Sequence, residues 1–221
     1  MSERNTSHPG PAAGTTARRP ALLPLVYGNA FVTGAVIMSF EMLGSRYLNP
    51  YFGSGIYTWA ALISSVLAAL AIGYFFGGWL GDRYPRPALL GTCIILSSGY
   101  LLCVPLIADA TFLSIFDAIS DVRIGSIAAA MVILFAPLMV LGFYSPFAIR
   151  LVLLDTHNSG RVSGRIYGIS TVGSIFGTLF TTFYLVPNFG TRGITYMLAI
   201  MACLSGLSFV LLARHVKVND R

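Results

Sequence analysis

Glu41 has the clearest capacity for chemistry, because it is the one charged side chain within six long apolar segments of the sequence. A carboxylate in mid-membrane costs about 2.5–3.5 kcal/mol on insertion scales, so such residues usually serve a function. We consider three roles: binding a proton or cation during transport, neutralising an organic cation, or pairing with Arg46. Arg46 lies about 140° further around a helix, so that ion pair requires the chain to turn at Gly44–Ser45.

The residues on the same helix face as Glu41 are mostly small. Gly34 lies about two helical turns before it and Gly44 almost one turn after it. A face of this kind packs against other helices or faces a cavity. We therefore expect Glu41 to point inward.

Two aromatic residues near Glu41, Tyr47 and Trp59, are candidate walls for a bound cation, since a cation is attracted to an aromatic face. Arg46 is a competing anion-binding candidate at the outer mouth of the same region. These three residues and Glu41 are the predicted ligand-binding set.

The elements that position this set are predicted from composition. Of 221 residues, 56% are hydrophobic and 10% are charged, whereas soluble domains average about 25% charged residues. Runs of roughly 20 apolar residues are long enough to cross a bilayer as helices. The predicted fold is an all-α polytopic membrane protein with six transmembrane helices at Leu22–Leu43, Tyr57–Leu80, Ala88–Ile107, Ile124–Phe147, Ile166–Val186 and Ile194–Leu212.

The predicted domains are a disordered cytoplasmic tail (1–21), a six-helix transmembrane domain (22–212) and a short cytoplasmic tail (213–221). The segments between the spans are too short for a soluble domain, which usually needs about 50 residues. We expect no metal site, no cofactor and no nucleic-acid partner.

The distribution of Lys and Arg predicts the orientation, because these residues concentrate in cytoplasmic flanks. With both termini inside, three basic residues lie outside: Arg46, Arg123 and Arg192. Eleven lie inside: Arg4, Arg18, Arg19, Arg83, Arg86, Arg150, Arg161, Arg165, Arg214, Lys217 and Arg221. The predicted location is the bacterial inner (plasma) membrane, and the net charge of +6 is attributed to topology.

Glycine spacing predicts close helix packing, since small residues four apart let helix backbones touch. The residues in this pattern are Gly73, Gly77, Gly81, Gly164, Gly168, Gly173 and Gly177. Pro137 predicts a kink in the fourth span. Segment 108–123 contains five large apolar residues and three aspartates, which predicts a short amphipathic helix on the outer surface.

The loop after the second span resembles the signature between helices 2 and 3 of major facilitator superfamily transporters. Its matching residues run from Gly78 through Asp82 and Arg83 to Arg86, with Pro85 where the family has glycine. A proline-rich turn carrying ordinary cytoplasmic charges is the alternative. With Arg150 and Arg165, these residues form the predicted cytoplasmic gate or docking surface.

A wider set of residues resembles the membrane module of the spermidine synthase-like membrane proteins, described as fused major facilitator/spermidine synthase proteins. The first matching blocks are Glu41, Ser45-Arg46, Pro50, Phe52-Gly53, Trp59, Gly73-Tyr74, Gly77-Gly78 and Asp82-Arg83. The later blocks are Leu141-Gly142, Ser145-Pro146, Arg150, Gly164-Arg165, Tyr167, Ser170-Thr171, Gly173-Ser174, Gly177-Thr178, Pro187 and Gly190-Thr191-Arg192.

This resemblance implies half of a major facilitator-like bundle that works with a soluble, aminopropyltransferase-like subunit, with a second copy, or with both. The expected function is to bind or move a small, amine-bearing or cationic metabolite. The alternative is a non-transporting scaffold that anchors a spermidine synthase-like enzyme. Enzymatic activity of the chain by itself is the least favoured hypothesis.

Overall fold

The computed structural model describes residues 19–153 and 159–219, and within those ranges every regular element is helical. Six helices are long and apolar enough to cross a membrane, which confirms the all-α, six-span prediction. In chain order they are α1 (Arg19–Phe52), α2 (Ile56–Arg83), α3 (Pro87–Ala118), α4 (Val122–Val152), α5 (Ser159–Asn188) and α6 (Thr191–Asn219).

The helices are longer than the predicted spans, because they continue past the apolar core of each segment. Segment 108–118 is the end of α3 and not a separate surface helix, so that prediction is wrong. The physical reason is burial: Phe112 is fully enclosed and its ring lies 5.5 Å from that of Tyr51. At the C-terminal end, α6 continues to Asn219, into the segment 213–221 that was predicted as a tail. Residues 1–18 of the other predicted tail lie outside the described ranges.

Specific turn residues mark the short connections between consecutive helices. Gly53 follows α1 with a φ of +73°, a conformation that glycine adopts without strain. Pro87 opens α3, where its missing N–H costs nothing. Asp121 caps α4 by accepting a hydrogen bond from the Arg123 backbone N–H at 2.8 Å.

Two helices contain a π-helical turn shortly before a proline. Met131–Phe135 precedes Pro137 in α4, and Thr181–Leu185 precedes Pro187 in α5. In a π-helix the carbonyl of residue i bonds the N–H of residue i+5, so Val132 would require an N–H that Pro137 lacks. The Tyr100 hydroxyl from α3 donates to this carbonyl at 2.6 Å instead. The kink predicted from Pro137 therefore takes the form of a π-helical turn whose freed carbonyl bonds a neighbouring helix.

Three helix pairs form most of the packing: α1 with α5, α2 with α4, and α3 with α6. Helix α1 also contacts α2, α3, α4 and α6, so it is the central helix of the bundle. If α1, α2 and α3 exchange places with α4, α5 and α6, in that order, the same three pairs result. Since α1 and α4 run in opposite directions, the pairing pattern relates the first three helices to the last three in inverted orientation.

Candidate functional site

Glu41 is buried on the central helix, with 6% of its surface exposed. It is the only charged residue that is buried in the described ranges. No described residue forms an ion pair or a hydrogen bond with its carboxylate. Glu41 is thus a mostly buried residue whose carboxylate has no counter-charge in the described part of the chain.

The residues around Glu41 show which helices it faces. Gly34 lies against the Ser170 backbone of α5, and Gly44 lies against the side chains of Leu62 (α2) and Leu134 (α4). At 100° per residue, Glu41 falls between the directions of Gly34 and Gly44 around α1. Its side chain therefore points toward the region between α5 and the α2–α4 pair, inside the bundle as expected.

The other three predicted ligand-binding residues lie apart from Glu41. Arg46 is exposed and forms no ion pair with Glu41. The Tyr47 hydroxyl shares a 2.9 Å hydrogen bond with Thr195, so Tyr47 faces α6, about 120° around α1 from Glu41. Trp59, at the start of α2, is 37% exposed. In the described structure no contact joins these side chains into a cage.

Glycines bring three helix pairs into backbone contact, and Gly91 and Gly206 do so for α3 and α6. A Cβ built on Gly173 would lie 2.1 Å from the Phe31 carbonyl oxygen, and one on Gly177 would lie 2.4 Å from that of Ala35. The α1–α5 contact is reinforced by the Ser39 hydroxyl, which donates to the Gly177 carbonyl at 3.1 Å. Helices α1 and α5 therefore touch along their backbones beside the region that Glu41 faces.

Glycines of α2 likewise allow close contact with the backbone of α4. Gly73 and Gly77 lie against the backbones of Met139 and Phe143, and Gly81 lies against Phe147. Two other glycines of the predicted packing set, Gly164 and Gly168, have no atom from another described element within 4 Å of an added Cβ. The same spacing thus marks a helix contact in one part of the sequence and an open surface in another.

The predicted gate residues lie at one end of the bundle, where α2 ends and α3 begins; we call it the basic end. Asp82 and Arg150 form an ion pair of 3.0 Å that links α2 to α4. The Arg83 guanidinium lies 6.0 Å from the Tyr84 ring centre. Both side chains of the Asp82–Arg150 ion pair are about half-exposed or more, and solvent limits the contribution of such an ion pair to about 1 kcal/mol or less.

Three further members of the predicted surface lie at this end: two arginines without a described ion pair, and one glycine. Arg86 immediately precedes α3, Arg165 is exposed on the first turns of α5, and Gly78 faces the Pro146 side chain of α4. The result is an open, positively charged rim around the Asp82–Arg150 pair.

Sequence reasoning missed a polar cluster between α1 and α6. The buried Asn29 donates to the Ser208 hydroxyl at 3.1 Å, and Ser205 is buried beside them. Asn29 is the only carboxamide within the six predicted spans, which is the signal that could have identified it.

No protein-family model, curated protein or solved structure matches the chain. Six apolar helices in one bundle define the chain as a multi-pass integral membrane protein in contact with the lipid bilayer. The motif resemblance to spermidine synthase-like membrane proteins stays a prediction.

Proposed function

We propose that the chain binds or transports a small, amine-bearing or cationic metabolite, with Glu41 as the buried counter-charge. The observation that carries this proposal is the isolation of that carboxylate on the central helix. In surroundings of low dielectric constant, a cation a few ångströms away is attracted far more strongly than in water. A cationic ligand would offset the cost of burying Glu41, which no described side chain does.

The partner in this proposal is a second copy of the chain or a soluble spermidine synthase-like subunit. The motif resemblance supports a partner, because the related membrane unit is half of a major facilitator-like bundle joined to such a synthase domain. The basic end, with Arg83, Arg86, Arg150 and Arg165, is the proposed cytoplasmic gate or docking surface. The charge distribution supports N- and C-termini in the cytoplasm.

The second candidate function is a non-transporting scaffold that anchors a spermidine synthase-like enzyme. It is favoured by the exposed basic rim around Asp82 and Arg150, which can attract an acidic protein surface. This function requires no ligand at Glu41, so the two candidates predict different effects of changing that residue.

The experiment compares polyamine binding and uptake by the purified full chain in proteoliposomes, with radiolabelled spermidine and putrescine as probes. Glu41→Gln keeps the shape and removes the charge. Asp117→Asn is the matched control, because Asp117 is an exposed carboxylate at the end of α3. Loss of a charge-assisted hydrogen bond corresponds to roughly tenfold to hundredfold weaker binding, so Glu41→Gln should show that loss and Asp117→Asn none.

Unchanged polyamine binding by folded Glu41→Gln would overturn the first proposal. Absence of flux above empty liposomes, together with capture of a soluble spermidine synthase-like protein that is lost on reversing Arg83 and Arg86 to Glu, would favour the scaffold. Folding of each variant is checked by its elution volume and helical circular dichroism.

A further inference from the structure

A groove of about 460 Å³ runs between α1 and α6 on the lateral surface of the bundle. Exposed residues form its rim and buried polar residues form its floor. The rim includes Pro24, Gly28, Met201 and Leu204, and the floor includes Asn29 and Ser205. The groove thus combines an opening toward the acyl chains of the bilayer with hydrogen-bonding groups at its base.

Asn29 leaves one strong acceptor unused at this floor. Its residue surface is 7% exposed, and its amide nitrogen donates to the Leu25 carbonyl at 2.9 Å and to the Ser208 hydroxyl at 3.1 Å. Both amide hydrogens are therefore occupied. The Oδ1 oxygen accepts no hydrogen bond from the described part of the chain.

The two serines add further unused hydrogen-bonding capacity. The Ser208 hydroxyl donates to the Ser205 carbonyl at 2.6 Å, which occupies its only hydrogen and leaves it as an acceptor. The Ser205 hydroxyl is buried and has no partner among the described residues. The Asn29 Oδ1 and the Ser208 oxygen can only accept further hydrogen bonds, so a ligand that satisfies them must supply a hydrogen-bond donor.

The level of the groove in the membrane restricts the ligand further. The first apolar span, Leu22–Phe52, is 31 residues long, about 46 Å, so its ends extend beyond a hydrocarbon core of about 30 Å. Asn29 lies seven residues inside this span, about 10 Å from its start. That level is close to the boundary between the headgroups and the acyl chains.

The lack of charged side chains in the groove determines which hydrogen-bond donor it can bind. Every side chain that lines the groove is uncharged, so an ammonium group would be buried without a counter-charge and a phosphate without a cation. The geometry points to a site for the hydroxyl end of an uncharged membrane lipid of the diacylglycerol kind, held by Asn29 and Ser208. The site is distinct from Glu41, which lies about 18 Å further along α1.

The test is photolabelling of the full chain in phosphatidylcholine nanodiscs with a photoreactive diacylglycerol as the probe. The matched probe is the same molecule with its hydroxyl acetylated, which removes the donor. Gly28→Leu fills the groove, because a Cβ on Gly28 meets no atom within 4 Å. Gly99→Leu is the control, since Gly99 is also an open helical glycine but lies on α3.

We expect the α1 and α6 peptides to be labelled about fivefold more by the hydroxyl probe than by the acetylated one, the ratio that a single ordinary hydrogen bond supplies. Gly28→Leu and Asn29→Leu should abolish the difference, whereas Gly99→Leu should keep it. Equal labelling by the two probes in the wild-type chain would overturn the proposal. So would a preference that survives in Gly28→Leu, because the label would then arise elsewhere.

Discussion

Replacing Gly173 with alanine is the sharpest test of the α1–α5 contact. An added Cβ would lie 2.1 Å from the Phe31 carbonyl oxygen, more than 1 Å closer than the 3.4 Å at which ordinary contact begins. The nearest atoms of Phe31 are all backbone, so no side chain can rotate away and the two helices must separate. Inserting a methyl group into a well-packed contact costs about 1–3 kcal/mol.

Gly168→Ala in the same helix is the matched control. Gly168 has open space around an added Cβ, so this change should only bring the gain of helix propensity, about 0.5–1 kcal/mol. Both variants share that gain. The free energy of unfolding of Gly173→Ala should therefore be about 1–3 kcal/mol lower than that of Gly168→Ala.

The assay is unfolding of the purified full chain in mixed micelles of mild detergent and dodecyl sulfate, followed by circular dichroism and by tryptophan fluorescence. A free energy of unfolding of Gly173→Ala equal to or above that of Gly168→Ala would refute the close backbone contact. Coincident transitions by the two probes are required before the free energies are compared.

Three further predictions concern polar contacts between helices. Tyr100→Phe should lower the free energy of unfolding by about 1–2 kcal/mol, because the Val132 carbonyl loses its donor; Tyr184→Phe, an exposed tyrosine of α5, serves as the control. In a Pro137→Ala background, position 137 regains an N–H, so Tyr100→Phe should cost less free energy of unfolding. An equal cost in both backgrounds of this double-mutant cycle would contradict the idea that Tyr100 bonds a carbonyl freed by Pro137. Asp82→Asn should change stability by less than about 1 kcal/mol, since its ion pair is half-exposed, and a larger effect at high salt would argue against solvent screening.

The number and type of the helices could be predicted from the sequence, because bilayer thickness imposes a simple length rule on apolar runs. The same rule fails at helix ends. The acidic residues of segment 108–123 suggested a surface helix, whereas Phe112 is buried against Tyr51 of α1 and Asp109 pairs with Arg192 of α6, so residues 108–118 are the packed end of α3. Local polarity contains no information about a partner that lies 83 residues away.

The candidate site was only partly predictable, for a related reason. The inward orientation of Glu41 follows from the small residues on its own helix face, which the sequence displays. Tyr47 is close in sequence but faces α6, because its position around α1 is set by helix geometry. Glycine spacing likewise does not tell which glycines meet another helix, as Gly168 and Gly173 show.

The central position of α1 has a consequence for the order in which the chain assembles. Helix α1 leaves the ribosome first among the six, whereas its main partner α5 and its neighbour α6 are synthesised late. Until they arrive, Glu41 and Asn29 lie in a helix that lacks two of its packing partners, and they bear part of the cost that insertion scales assign to polar residues in lipid. Chains interrupted before α5 would therefore keep a polar first helix incompletely covered, which makes them natural substrates for membrane chaperones and quality-control proteases.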